Sequence, residues 1–382
     1  MTKLIDRRIK NDLQNALLNS KKVIIVLGPR QVGKTTLINQ ILDDLEVSSV
    51  RINGEEHLVR DSFSSFSYQR MMESVGNNNV LFIDEAQNVL EIGTNIKILF
   101  DKNKALKILL SGSSSLELAN RLQEPLTGRK RIFNLFPLSI GELLDHGYTP
   151  LQIRENLNSI LKYGLYPEVI TQESIKDKAT VLRELSTSYL YKDILQLADI
   201  KYSNKIHDLL QLIALQIGST VSINKLSNAL NLSAQTIENY INLLEQSFVI
   251  FRLRGFSRNL SKEISKMDKI YFYDVGVRNT ILNNFSDLHL RNDTGNLWEN
   301  FLIAERIKAN SYDRLHKNIY FWRTYTGAEI DYIEENDGRI NAFELKYSNK
   351  LSRVPKTWEE QYPQSTFSTV NLDNFFQFIN PK

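Results

Sequence analysis

The first third of the chain alternates short apolar runs with segments whose apolar residues recur at helical spacing. Five runs have the length and continuity of strands buried on both faces: residues 23–27, 47–52, 80–83, 105–110 and 132–136. Strands that alternate with helices form βαβ units, and these units build parallel sheets covered by helices on both faces. The pattern therefore predicts an α/β domain, preceded by an amphipathic helix over residues 4–19.

Beyond Pro137 the pattern changes twice. Residues 139–217 carry helical stripes, and residues 222–254 predict a helix, a short turn, a second helix and a strand. From about residue 294 a helix is followed by three strand-like segments and by a later helix that contains Trp358. These changes predict four domains, which cover residues 1–137, 138–217, 218–285 and 286–382.

Composition narrows the class of protein without identifying it. The chain has 382 residues and no cysteine, which excludes disulfides and cysteine-based zinc sites or nucleophiles. Its net charge is only +3, so a nucleic-acid surface has to come from local clusters of basic residues. Because no apolar run approaches the length of a membrane span and the N-terminus lacks a signal-peptide core, we expect a cytoplasmic protein with no membrane partner.

The loop between the first apolar run and the next helix reads GPRQVGKT. Its glycines let backbone N–H groups fold around phosphate oxygens, and the following helix directs its positive end at the same anion. Lys34 is placed to reach the β- and γ-phosphates, and the Thr35 hydroxyl is placed to bind Mg²⁺. The predicted nucleotide contacts are Gly28, Pro29, Arg30, Gln31, Val32, Gly33, Lys34, Thr35 and Thr36.

Polar residues at the ends of later strands extend this site. After the third apolar run, Asp84 would complete the Mg²⁺ shell and Glu85 would orient or activate the attacking water. Ser111 and Ser113 end the neighbouring strand, where a hydroxyl could sense the γ-phosphate, although an ordinary Ser/Gly-rich turn has the same composition. Arg129 could act on a neighbouring subunit's phosphate, or it could be one more residue of a basic run.

Taken in order, these motifs resemble the bacterial and archaeal AAA-type ATPases close to the origin-recognition and STAND branch. The resemblance rests on residues 28–35, 84–87, 110–114 and 126–129, and it extends through residues 163–168 and 189–194 to the C-terminal domain. It implies a P-loop ATPase core that uses ATP and Mg²⁺, forms a homo-oligomer, and has Arg129 as its arginine finger. The loop at residues 163–168 is assigned no role.

A second set of charged residues lies near the C-terminus. Asp331 is in an alternating strand, and Glu344 and Lys346 share one face of the next strand because side chains two residues apart point the same way. Two carboxylates from paired strands can hold Mg²⁺, and the lysine can position water or stabilise charge on a phosphate. Glu299, on the preceding helix, could add a further carboxylate. Surface hairpins with charged outer faces have the same spacing.

The set is similar to that of the PD-(D/E)XK nuclease fold, which AAA-type ATPases of this kind commonly carry at the C-terminus. The resemblance implies that Asp331, Glu344 and Lys346 form a complete catalytic set, with Asp331 and Glu344 as metal ligands.

Residues 222–246 predict a helix-turn-helix whose second helix is poor in positive charge, whereas the following wing is basic. The wing contains two acidic residues, Glu263 and Asp268, and six basic residues: Arg252, Arg254, Arg258, Lys262, Lys266 and Lys269. The pattern predicts either phosphate contacts with DNA or a module that packs the ATPase and nuclease-like domains together.

The combined prediction is an α/β protein with a P-loop AAA-type parallel-sheet domain, a helical lid, a winged helix and a PD-(D/E)XK-like domain. The expected function is ATP hydrolysis coupled to DNA binding and to metal-dependent cleavage at the C-terminal set. Two other functions share parts of the pattern. One is an ATP-switched regulatory protein whose nuclease-like domain does not cleave, and the other is a small-molecule kinase, although nothing in the sequence resembles a lid for an acceptor.

Overall fold

The computed structural model of the chain describes residues 4–113, 125–198, 203–257 and 267–380. The sequence also predicts a helix at residues 116–123, and this segment lies outside the described residues. So do Ser114 and the wing residues Arg258, Lys262, Glu263 and Lys266. The side chains of residues 189–194, which contribute to the resemblance, also lie outside them.

Five strands form a parallel sheet in the N-terminal part of the chain. They are β1 (Val23–Leu27), β2 (Ser49–Asn53), β3 (Val80–Asp84), β4 (Lys107–Gly112) and β5 (Lys130–Asn134), in the spatial order β2-β3-β4-β1-β5. All four ladders are parallel, and every residue of β1, an interior strand between β4 and β5, is buried. The predicted α/β domain with a parallel sheet is confirmed, because continuous apolar runs form strands that are covered on both faces.

Within the described residues, five helices accompany this sheet: α1 (Lys10–Asn19), α2 (Lys34–Asp44), α3 (His57–Phe63), α4 (Tyr68–Val75) and α5 (Ile92–Lys102). The prediction of one helix over residues 4–19 was wrong at its start, since residues 4–9 are not helical. The buried Arg7 donates to the Val32 and Phe136 carbonyls, and these bonds keep residues 4–9 from extending α1 towards the N-terminus. Residues 62–75 contain parts of two helices, because Phe66 has a φ of 54° and the Ser67 side chain caps α4.

Nine helices of the described residues follow before the last part of the chain. They are α6 (Ile140–Asp145), α7 (Pro150–Glu155), α8 (Leu157–Tyr163), α9 (Pro167–Thr171), α10 (Ile175–Ala198), α11 (Ser203–Leu215), α12 (Ile223–Leu230), α13 (Ala234–Gln246) and α14 (Val275–Ile281). Capping boxes begin α6 and α7, and serine side chains cap α12 and α13.

The loop between α8 and α9 is shaped by a buried carboxylate. The Leu165 N–H donates to Asp274 Oδ2 at 2.7 Å. Gly164 has a φ of +72°, and a Cβ at this position would lie 2.0 Å from Asp274 Oδ1. Glycine is therefore required at residue 164 by close packing as well as by backbone conformation.

A second sheet joins the helix-turn-helix region to the last part of the chain. Its seven strands, in the order β12-β11-β10-β9-β7-β8-β6, are β6 (Thr220–Val221), β7 (Ile250–Gly255), β8 (Asp268–Phe272), β9 (Asn318–Arg323), β10 (Glu329–Asn336), β11 (Arg339–Leu345) and β12 (Thr366–Val370). Strands β7 and β9 pair in parallel, with Arg254 opposite Tyr320 and Gly255 opposite Phe321. The sheet therefore continues across the boundary predicted at residue 285.

Three helices complete the fold: α15 (Thr294–Tyr312), α16 (Lys356–Gln361) and α17 (Phe375–Ile379). Helix α15 contacts the segment that follows β5, since Glu305 Oε2 accepts from the Ile140 N–H at 2.6 Å and the Lys308 ammonium donates to the Leu138 carbonyl at 3.0 Å. Across the described ranges, none of the helices has both the length and the apolar character that crossing a bilayer requires.

Candidate nucleotide site and carboxylate cluster

The phosphate loop joins β1 to α2 at the carboxyl edge of the parallel sheet. Gly33 precedes α2 with a φ of +92°, a conformation that is favourable for glycine. The Lys34 ammonium donates to the carbonyl oxygens of Gly28 and Pro29, both at 2.9 Å. Thr35 is exposed in the first turn of α2. This turn combines a lysine, a hydroxyl and a helix N-terminus, which are groups that bind phosphate and Mg²⁺.

The other predicted loop residues differ in their surroundings. Gly28 is packed closely against the segment after β5, and a Cβ at this position would lie 2.0 Å from the Leu135 carbonyl oxygen. Pro29 and Val32 are buried, Arg30 is half-buried, and Gln31 and Thr36 are exposed.

Asp84 ends β3 and connects the loop to the neighbouring strand. The Thr35 hydroxyl donates to Asp84 Oδ2 at 2.7 Å, and the Ser111 hydroxyl donates to Asp84 Oδ1. These groups meet because β3 and β4 are adjacent parallel strands whose carboxyl ends share one edge. Hydroxyl and carboxylate oxygens are hard donors of the kind that Mg²⁺ binds together with phosphate oxygens and water. The residues present therefore fit a Mg²⁺–nucleotide complex.

Glu85 follows with a left-handed backbone, at φ 47° and ψ 46°. Its N–H donates to Asp84 Oδ1 at 3.1 Å and to Ser111 Oγ at 3.3 Å. The Gln87 side-chain amide donates to the Glu85 carboxylate and to Ser113 Oγ, the latter at 3.1 Å. The four predicted strand-end residues thus form one hydrogen-bonded group, and Gln87 is a member that the sequence prediction missed.

A cavity of about 350 Å³ lies beside the phosphate loop. Its walls come from the N-terminal segment, the loop, α2 and α9, and its lining includes Ile5, Gln31, Gln40, Leu138 and Pro167. An apolar lining with a few polar groups suits a small organic ligand. The sequence prediction missed this cavity because its walls come from segments that are far apart in the chain.

Arg7 ties the phosphate loop to three other parts of the chain. Its buried guanidinium donates to the Val32 carbonyl at 2.7 Å, the Phe136 carbonyl at 2.5 Å and Glu142 Oε1 at 2.8 Å. It also donates to the Tyr312 hydroxyl, at the end of α15, at 3.3 Å. Arg7 was not predicted as a site residue, because its partners belong to no local motif.

Arg129 lies at the opposite edge of the parallel sheet. Its carbonyl accepts from the Val23 N–H at 2.8 Å where β1 begins, whereas the phosphate loop follows the end of β1. A five-residue strand spans about 13 Å between its end residues. The Arg129 side chain is 40% exposed and its Nε donates to Asp101 at 3.2 Å. The structure therefore does not bring Arg129 together with Lys34 of the same chain.

The second predicted set is brought together by α15, β10 and β11. Lys346 Nζ and Glu344 Oε1 are 2.6 Å apart, and Asp331 Oδ2 accepts from the Leu345 N–H at 2.9 Å. Burial raises the pKa of Glu299 to about 7, and the charge of Asp331 adds to this rise. Burial and the charge of Asp331 likewise raise the pKa of Glu344. All four predicted residues therefore share one electrostatic environment.

Two charged residues outside the predicted set, Lys269 and Glu329, complete this group, and the Tyr271 hydroxyl contacts it. The Lys269 ammonium, on β8, is 3.1 Å from Glu299 Oε1, 2.5 Å from Glu329 Oε1 and 4.0 Å from Asp331 Oδ1. Tyr271, two residues along β8, donates its hydroxyl to Glu299 Oε1 at 2.5 Å. Burial lowers the pKa of Lys269, but the facing carboxylates outweigh burial and raise this pKa overall. We call Lys269, Glu299, Glu329, Asp331, Glu344 and Lys346 the carboxylate cluster.

The carboxylate cluster, as arranged, does not fit a divalent cation. One oxygen of Asp331 accepts from a backbone N–H, the other faces the Lys269 ammonium, and Glu344 is paired with Lys346. Within the described ranges, no group of three or more His, Asp or Glu residues has the geometry to hold a metal ion. Asp331 and Glu344 are therefore not arranged for a metal-dependent step.

The basic surface of the helix-turn-helix region is smaller than the residue count predicts. Arg252 pairs with Glu238 and Glu245 of α13, the second at 2.7 Å. Lys269 is only 1% exposed, whereas Arg254 is exposed. Two of the six basic residues therefore compensate carboxylates within the fold, because charged groups that lose water need partners.

Comparisons with known proteins assign the N-terminal part. Residues 20–144 match the family model of an AAA domain. Residues 154–288 match a domain of unknown function (DUF8612), and residues 294–368 match another (DUF4143). Together with the phosphate loop and the parallel sheet, the first match identifies residues 20–144 as an AAA domain of the P-loop ATPase class.

Two relatives resemble the chain over most of its length. An uncharacterised protein of Mycobacterium tuberculosis is 25% identical over 352 residues, which cover 91% of this chain and 76% of the relative. An uncharacterised protein of Methanocaldococcus jannaschii is 26% identical over 385 residues, with 95% and 84% covered. A Walker-type ATPase of Pyrococcus abyssi has a similar fold, with a TM-score of 0.51 and 16% identity over 73% of this chain and 96% of that chain.

Proposed function

We propose that the AAA domain binds ATP with Mg²⁺ and hydrolyses it to ADP and phosphate. The observation that carries this proposal is the hydrogen-bonded group in which Thr35 and Ser111 both donate to Asp84, next to Lys34 and Glu85. Lys34 exchanges its carbonyl partners for phosphate oxygens, and Thr35 and Asp84 hold the Mg²⁺ shell. Glu85 orients or activates the attacking water, while Ser111 and Ser113 lie where the γ-phosphate is sensed.

The cavity beside the phosphate loop is the proposed site of the nucleotide base. Apolar side chains such as Ile5 and Pro167 can pack on the faces of a flat ring, and Gln31 and Gln40 can bond its edges. Pro167 belongs to α9, within the region proposed as a helical lid at residues 138–217. The lid thereby contributes directly to nucleotide binding.

The variant Glu85→Gln tests the assignment of the water-positioning group. We expect it to retain ATP binding and to hydrolyse ATP about 100- to 10,000-fold more slowly, the usual range for loss of a general base. The control Lys34→Ala should instead lose ATP affinity. Wild-type turnover in Glu85→Gln would overturn the catalytic role, and native ATP affinity in Lys34→Ala would overturn the role of the loop.

We further propose that Arg129 acts as an arginine finger on the nucleotide of a neighbouring copy in a homo-oligomer. Its partial exposure and its place at the opposite edge from Lys34 support action between subunits. Arg129→Ala should slow hydrolysis about 1,000-fold or more. Mixing Arg129→Ala with Glu85→Gln should restore activity, because some interfaces then pair an intact base with an intact finger. Two inactive variants that remain inactive when mixed would contradict this proposal.

For the C-terminal half, we propose a winged helix followed by a PD-(D/E)XK-like domain that engages DNA. The capped helices α12 and α13 and the strands β7 and β8 support the first assignment. The order of α15, β9, β10, β11, α16 and β12, with an antiparallel meander and a final parallel strand, supports the second. The test is DNA binding measured against salt concentration, with and without ATP; affinity that is insensitive to salt would contradict phosphate contacts.

Two functions remain for the carboxylate cluster, and one observation favours the second. Asp331, Glu344 and Lys346 could cleave DNA with Mg²⁺, or the domain could serve an ATP-switched regulatory protein without cleaving. The buried Lys269 ammonium among the carboxylates favours the regulatory protein. Nuclease assays with Mg²⁺ or Mn²⁺ on single- and double-stranded DNA distinguish them. Cleavage that disappears in Glu344→Ala/Lys346→Ala would establish the nuclease, whereas no metal-dependent difference would support the regulatory protein.

A further inference from the structure

The carboxylate cluster receives its central cation from outside the region that supplies its carboxylates. Glu299, Glu329 and Asp331 belong to α15 and β10, whereas Lys269 belongs to β8 of the helix-turn-helix region. Two of the carboxylates are within 3.1 Å of the ammonium and the third is 4.0 Å away. These residues belong to three elements that are separated in the sequence, β8, α15 and β10. The tertiary fold therefore builds the arrangement, and no local turn could do so.

The sheet fixes where the Lys269 ammonium lies. Lys269 is opposite Leu253 of β7 on one side and opposite Thr220 of β6 on the other. Side chains alternate along a strand, so Lys269 and Tyr271 point to the same face, and both contact Glu299. A shift of β8 by one residue would turn both groups away. The paired register therefore holds the ammonium in place.

A divalent cation at the same carboxylates would lie close to this ammonium. Two like charges about 4 Å apart repel strongly even at the effective dielectric constant of a protein surface, and a divalent ion doubles the effect. The repulsion lowers metal affinity by about 1,000-fold or more. The ammonium and a metal ion are therefore alternatives rather than neighbours.

We propose that Lys269 is the resident cation of the carboxylate cluster, so that the folded chain excludes divalent metal from Glu299, Glu329 and Asp331 and becomes able to bind it when that ammonium is removed. This inference extends the non-cleaving function proposed above, and its readout is metal binding rather than cleavage. It explains why carboxylates in a nuclease-like order coexist with a buried lysine. It also assigns a role to a lysine that the sequence places in a DNA-binding wing.

The test is Mn²⁺ binding by the full chain in the absence of nucleotide, measured by calorimetry. Four proteins are compared: wild type, Asp331→Asn, Lys269→Ala and Lys269→Ala/Asp331→Asn. Wild type and Asp331→Asn should bind equal amounts of Mn²⁺, because the phosphate loop is intact in both and the cluster contributes nothing. Lys269→Ala should gain about one Mn²⁺ per chain, and the added Asp331→Asn should remove it. Lys269→Arg, which keeps a cation, should behave as wild type.

Two results would overturn the proposal. The first is Mn²⁺ binding by wild type that falls in Asp331→Asn, since the cluster would then accept metal beside Lys269. The second is a folded Lys269→Ala that gains no Mn²⁺. If Lys269→Ala does not fold, as judged by circular dichroism, Lys269→Gln takes its place in the same comparison, because it removes the charge and keeps a polar group facing Glu299 and Glu329. Neither result depends on ATP hydrolysis or on DNA cleavage, so failure here is distinguishable from failure of the proposed function.

Discussion

Two buried lysines, one in the phosphate loop and one in the carboxylate cluster, differ in the partners that surround them. Lys34 donates to two neutral backbone carbonyls, both at 2.9 Å. Lys269 is held by carboxylates, at 3.1 Å from Glu299 and 2.5 Å from Glu329. Phosphate forms stronger charge-assisted bonds than a carbonyl, so Lys34 gains by exchanging its partners for a ligand. If Lys269 moved away to bind a ligand, the buried carboxylates would lose their compensating charge, so Lys269 stabilises the fold and does not bind a ligand.

The largest expected effect is on stability. Lys269→Met keeps the length of the side chain but removes its charge, and we expect a loss of about 3–5 kcal/mol because the facing carboxylates lose their buried partner. Without nucleotide, Lys34→Met should cost about 1 kcal/mol, since it removes the bonds to the neutral carbonyls of Gly28 and Pro29. Denaturant unfolding monitored by circular dichroism measures both. Equal losses in the two variants would break the distinction between the lysines.

A third charged group, around Glu334, provides a contrast in which cations outnumber the carboxylate. Arg306 and Lys317 lie 2.7 and 2.8 Å from Glu334. Burial alone would raise the pKa of Glu334, but the two cations outweigh burial and lower this pKa to about 2. Because the pKa of Glu334 is lower in the folded protein, its ionised form stabilises the fold at pH values above about 4.5. This stabilisation is lost as the pH falls towards 2. The loss should reach about 3 kcal/mol between those pH values.

The control for this group is Glu334→Gln, which cannot be protonated. Its unfolding free energy, measured from pH 5 to pH 2, should fall less steeply than that of the wild type. Parallel pH profiles for the two proteins would show that Glu334 does not carry the acid dependence.

A smaller effect is expected on nucleotide affinity. Lys34→Met should weaken ATP binding by about 1.5–3 kcal/mol, which is roughly 10- to 150-fold, because a charged hydrogen-bond donor to phosphate is lost. The same substitution at Lys269 should leave ATP affinity unchanged, since its partners lie on α15 and β10. Fluorescent-nucleotide binding measures both. A similar weakening by Lys269→Met would mean that the two sites are energetically coupled.

The smallest effect concerns the link between the two sites. The Tyr312 hydroxyl accepts from Arg7 at 3.3 Å and from the Phe136 N–H at 3.4 Å. Tyr312→Phe keeps the ring and removes only these bonds, so we expect a loss of about 1 kcal/mol in unfolding free energy. Thermal unfolding measures the change, and Tyr325→Phe, at an exposed position, is the control. An equal shift in both variants would assign no special role to Tyr312.

The nucleotide site was largely predictable because its chemistry lies in contiguous segments. Residues 28–35 carry the loop in one stretch, and Asp84 and Ser111 sit at strand ends, where adjacent parallel strands bring them together. The match of residues 20–144 to an AAA domain confirms the predicted class of that domain. Arg7 and the cavity escaped prediction because their partners are distant in sequence and share no periodic pattern.

The carboxylate cluster was predictable in part. The spacing of Glu344 and Lys346 along one strand fixed their shared face, since side chains in a strand repeat every second residue. Lys269 could not be assigned, because local charge counting places it in a basic wing and only the pairing of β7 with β8 and β9 brings it to Asp331. The available signal of burial was the apolar run at residues 270–272, which directly follows Lys269 in β8.

The parallel pairing of β7 with β9 decides how the chain can be divided for experiments. A cut at residue 285 separates strands β6 to β8 from strands β9 to β12 and exposes two unpaired edges. Exposed strand edges recruit other strands, so each fragment would tend to aggregate even if it kept its helices. Any truncation should therefore keep strands β6 to β12 together. The buried bonds of Asp274 to Leu165 and of Lys308 to Leu138 join the preceding helical region to the same unit.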